Sequence, residues 1–104
     1  PEHELVPYRQ RPMWPNRVAL APTIARELTL DRSYTFDPER FANMHVPVLL
    51  LTGGDSPPEH QQSTKAVHAA LPGSRIAVLP GQRHIAMDTD PERFVGEVSA
   101  FLLG

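Results

Sequence analysis

A chain of 104 residues fits one small domain or part of a larger one. Its 40% hydrophobic and 21% charged content is ordinary for a globular protein, and a formal charge of −2 supplies no broad basic footprint for nucleic acid or anionic lipid. The absence of cysteine excludes disulfides and thiolate chemistry within the chain but fixes no compartment, although the cytoplasm is the favoured one.

The sequence opens at Pro1 with neither an initiator Met nor a signal-like segment, so an N-terminal portion is expected upstream. Residues 1–12 are polar, broken by proline and without periodicity, and are expected to form a linker or loop. From Trp14 the pattern changes. Trp14, Val18, Ala21, Ala25 and Leu28 recur at steps of four and three, one face of a packed amphipathic helix that Pro22 should kink or split.

The pentapeptide Asp-Pro-Glu-Arg-Phe occurs twice, at 37–41 and 90–94. Asp caps free first-turn amides, Pro suits the first helical position, and Glu complements the positive helix end. Two helix starts are therefore expected, and neither Asp needs a catalytic role.

Val46–Thr52 is a nearly continuous apolar run, the pattern of a strand covered on both faces; it is strand-sized and too short to span a bilayer. Gly53-Gly54 ends it. Ser56-Pro-Pro-Glu59 has the form of a capping box opening a helix through Ala66, Val67, Ala70 and Leu71, closed by Pro72-Gly73. Arg75–Leu79 is a second strand, broken by Pro80-Gly81. A last helix runs from Pro91 to about Leu103, with Phe94, Val95, Val98, Phe101 and Leu102 as its buried stripe.

This β-α-β-α order predicts an α/β layer whose two strands are parallel, joined by a right-handed crossover. Both strands then deliver their following turns to one sheet edge, where ligands of open α/β sheets bind. One turn carries Asp55 and the other His84. Two strands and a few helices cannot cover both faces of so apolar a sheet, so the chain is expected to be a piece of a larger domain.

Taken together, Val46-Pro-Val-Leu-Leu-Leu-Thr-Gly-Gly-Asp-Ser-Pro-Pro58, Ala70-Leu-Pro-Gly-Ser-Arg-Ile-Ala-Val-Leu-Pro-Gly-Gln-Arg-His84 and the Asp-Pro-Glu-Arg-Phe…Phe-Leu helix resemble the C-terminal end of α/β-hydrolase fold proteins. The resemblance runs from about Val46 to the C-terminus. It implies a C-terminal fragment of an α/β-hydrolase sheet, its last two parallel strands with flanking helices in residues 46–104, preceded in residues 1–45 by a helical remnant of the cap region. It further implies that His84 is the catalytic histidine and that Asp55 stands where an acid commonly follows the preceding strand. In many relatives, however, that carboxylate falls three residues after a strand-ending glycine, and counting from Gly53 that place holds Ser56.

The nucleophile is the gap. No Gly-x-Ser-x-Gly elbow occurs, and Ser33, Ser63, Ser74 and Ser99 have no elbow context. In the chain order Ser…Asp…His, the nucleophile belongs to the expected upstream part of the same domain. Gly54-Asp-Ser56 also resembles the Gly-Asp-Ser block of another lipase and esterase family, but Gly81 stands where that family has Asp before its histidine. Ser56 is better read as a helix cap.

His3, His45, His60 and His68 form no ligand pair with a nearby carboxylate and are expected at the surface, with no metal bound. No phosphate-binding glycine loop is present, and no cofactor is expected. The expected partner is a small-molecule substrate, cleaved at an ester or related bond by a nucleophile-His-acid triad. A lyase or haloperoxidase on the same scaffold, or a non-catalytic binding member, is the alternative, because fold does not fix function.

Overall fold

A computed structural model describes residues 2–104, so the N-terminal Pro1 of the expected linker lies outside the described residues. The protein is mixed α/β. Six α-helices, one 3-10 helix and a two-stranded parallel sheet occur among the described residues. They divide into two compact units, Pro1–Phe36 and Asp37–Gly104.

The first unit is helical from Glu2. Helix α1 spans Glu2–Arg9, although the sequence there reads as a linker and Pro7 lies inside it. The Tyr8 ring meets Trp14 edge-on at 5.8 Å, and the guanidinium of Arg17 lies 5.1 Å from its centroid. Pro22 divides the next segment as expected, into α2 (Trp14–Leu20) and α3 (Pro22–Ser33). Ala21 between them keeps helical backbone angles (φ −52°, ψ −34°), so Pro22 takes a first-turn position where its missing N–H costs little. The expected packed face does not materialise. No described residue of this unit is buried, and Val18 and Leu28 are each 51% exposed.

In the second unit the repeated pentapeptide starts two different helices. Asp37 accepts a hydrogen bond from the Glu39 amide (3.1 Å) and opens the 3-10 helix Pro38–Phe41. Asp90 accepts one from the Arg93 amide (3.2 Å) and opens α6, Pro91–Leu103. The cap is common to both, and the residues beyond the pentapeptide decide the length: an apolar stripe continues after Phe94 but not after Phe41. That stripe is narrower than expected. Phe94, Val98 and Phe101 are half-buried, whereas Val95 and Leu102 are exposed.

Strand β1 (Val48–Gly53) pairs in parallel with β2 (Ser74–Leu79), in a register running from Val48 opposite Ser74 to Gly53 opposite Leu79. The crossover is α4 (Pro58–Ala70), which packs on both strands. Helix α6 packs on β2, where the Arg75 guanidinium lies 5.2 Å from the Phe101 ring centroid. The core is small. Leu71, Leu79 and Ala86 are its buried apolar residues, and Val48 through Leu51 of β1 are only half-buried.

A candidate catalytic histidine at the carboxyl edge of the sheet

Because the strands are parallel and end level, at Gly53 and Leu79, the turns after them emerge side by side. Backbone hydrogen bonds join them. Gly54 N donates to Leu79 O (2.9 Å), and Asp55 N donates to Gln82 O (2.9 Å). Gly53 permits this approach. A Cβ there would stand 2.3 Å from Gln82 O and 2.7 Å from Arg83 O, both backbone atoms with little room to yield. Gly53→Ala is therefore expected to separate the turns and strip the Asp55 amide of its hydrogen-exchange protection. Unchanged protection of that amide would show that the turns tolerate the methyl group.

The turn after β2 is fixed at several points. Gly81 adopts φ +71°, a left-handed angle that suits glycine. Gln82 N donates to Leu79 O (3.2 Å), and the Thr89 hydroxyl donates to Gln82 Oε1 (2.5 Å). Helix α5 (Ala86–Thr89) follows at once, with Ala86 buried. His84 stands exposed between these anchors. The turn after β1 is tied to α4 by the Gln61 side chain, whose Nε2 donates to the carbonyls of Gly54 (3.2 Å) and Ser56 (2.9 Å).

A cavity of about 400 Å³ opens at this edge. Ser56, His60 and His84 contribute polar groups to its wall, and Leu51, Leu79 and Phe94 contribute apolar ones. His84 thus faces a cavity large enough for a small organic group. Asp55 does not line it. Its side chain is exposed and makes no hydrogen bond to His84, so only its backbone is engaged with the histidine turn.

Two residues occupy places the sequence did not suggest. Ser56 is not a helix cap: Pro57 holds the N-cap position of α4 with no side-chain hydrogen bond, and Ser56 is instead buried at 6% exposure against the cavity. His60 is exposed, as expected, yet its ring meets His84 edge-to-face, with centroids 5.5 Å apart and planes at 82°. Its position in the first turn of the crossover helix was a usable signal, since that turn opens at the same sheet edge as His84. His68 lies at the other end of α4, where Nδ1 is 2.7 Å from Ser74 Oγ. Among the described residues, no three His, Asp or Glu side chains gather to hold a metal ion. Compared with known protein families, curated proteins and solved structures, the chain matches none.

Proposed function

We propose that the chain is the C-terminal part of an α/β-hydrolase that cleaves an ester or related bond, with His84 as general base. The observation that carries the reading is the level, hydrogen-bonded pair of turns that presents His84 to a cavity at the carboxyl edge of a parallel sheet. The two-stranded sheet gives further support. So short a sheet is marginal alone, and each of its strands is an edge strand. The half-buried Val48–Leu51 run therefore suits further strands, supplied upstream together with the nucleophile and the oxyanion donors.

In this mechanism His84 takes the proton of a nucleophile hydroxyl as that oxygen bonds to the substrate carbonyl. The imidazolium then gives the proton to the leaving alcohol as the original ester bond breaks. Water, activated by the same imidazole, hydrolyses the acyl-enzyme and regenerates the nucleophile. Asp55 is proposed as the carboxylate that holds the imidazole tautomer. A second reading takes the acid from upstream, and the exposed Asp55 side chain, away from the cavity, favours it.

The chain of 104 residues alone is expected to be inactive, because it carries neither a nucleophile elbow nor an oxyanion loop. Hydrolysis of an activated short-chain ester, compared with a His84→Ala control, is the test. Turnover well above that control would contradict the reading, since the nucleophile would then lie within these residues.

A further inference from the structure

We propose that His60 is a positioning residue for His84, restricting the imidazole of the base by edge-to-face contact from the first turn of α4. The proposal rests on the hydrolase reading above and goes beyond it by assigning a role to a side chain outside the triad.

His60 is the third residue of α4, after Pro58 and Glu59. The backbone there is fixed. Proline constrains the first helical position, and His60 N donates to Pro57 O (3.0 Å). The next residue, Gln61, ties the helix start to the turn after β1 through its two side-chain hydrogen bonds. The His60 ring is thus carried on a rigid base and moves only about its own side-chain torsions.

The backbone of the His84 turn is anchored too, but its ring has no hydrogen-bonded restraint of its own. It stands exposed on a turn, and its ring nitrogens make no hydrogen bond among the described residues. A histidine in that situation is free to change between staggered rotamers. A general base must hold one nitrogen within hydrogen-bond reach of its nucleophile. The ring contact with His60 supplies the missing restraint. Its 5.5 Å separation and 82° angle fall within the edge-to-face geometry that aromatic pairs prefer. Both rings line the same cavity, so the contact acts where the substrate would sit. A misplacement of about 1 Å at a catalytic group can cost about 10²-fold in rate, which sets the upper scale of the effect.

The test is steady-state hydrolysis of an activated short-chain ester by the intact protein, with thermal unfolding of each variant. His60→Ala is expected to lower kcat about 10- to 100-fold while KM stays within about twofold. His60→Phe keeps a ring at the same place without a nitrogen, and should recover kcat to within about threefold of wild type. If His60→Ala fails to fold, His60→Gln, which has no ring, takes its place with the same expectation. A kcat within about twofold of wild type in the ringless variant overturns the positioning role, as does a Phe variant as slow as the ringless one. His84→Ala, measured alongside, separates the two readings. If it remains active the hydrolase reading fails; if it is inactive while the ringless His60 variant is normal, only the positioning role falls.

Discussion

Replacing Asp55 by Asn in the intact protein is expected to lower kcat about 10⁴-fold with little change in KM, the loss seen when a triad carboxylate becomes an amide. The carboxylate accepts an N–H from the imidazole and so selects the tautomer that can take the nucleophile's proton. An amide in its place favours the wrong tautomer. Asp55 is the only carboxylate between β1 and α4, and its amide is bonded to Gln82, two residues before His84. The Asp55 side chain, which makes no hydrogen bond to His84 in this structure, would have to turn toward it, and catalytic hydrogen bonds often tighten only when substrate is bound. A loss below about tenfold in kcat would assign the acid to an upstream strand instead. The exposed carboxylate, and Ser56 lining the cavity in its stead, would then be explained together.

The parts of the fold that were legible in the sequence are those set by local chemistry and periodicity. The apolar runs became β1 and β2, Pro22 divided two helices, and both Asp-Pro-Glu-Arg-Phe segments opened helices capped by their Asp. Parallel pairing came with the crossover, and with it the meeting of the two turns. Local pattern could not give the features that depend on contacts between distant residues. Helix α1 forms around Pro7, and Tyr8 beside it has Trp14 and Arg17 against its ring. The Trp14–Leu28 periodicity was genuine, yet its face stays exposed because nothing among the described residues of that unit covers it.

The candidate site divides in the same way. The sequence singles out His84 by its place after strand, proline and glycine, and its side chain lines the cavity. Ser56 has the composition of a cap, but two prolines come directly after it. With Pro57 as the N-cap, the helix begins one residue too late for the Ser56 hydroxyl to reach its amides. His60 is three residues from the Pro57 junction and 24 from His84 in sequence, and only the crossover geometry brings the rings together.

The measurement that bears most directly on the central claim is turnover of an activated ester by the intact protein carrying His84→Ala. The substituted side chain is exposed, so the fold should be retained, as a matching thermal unfolding curve would confirm. With the base gone, only binding and oxyanion stabilisation remain, and kcat is expected to fall about 10⁴- to 10⁶-fold. A kcat within about tenfold of wild type would remove His84 from the chemistry and contradict the assignment of this sheet edge as a hydrolase active site.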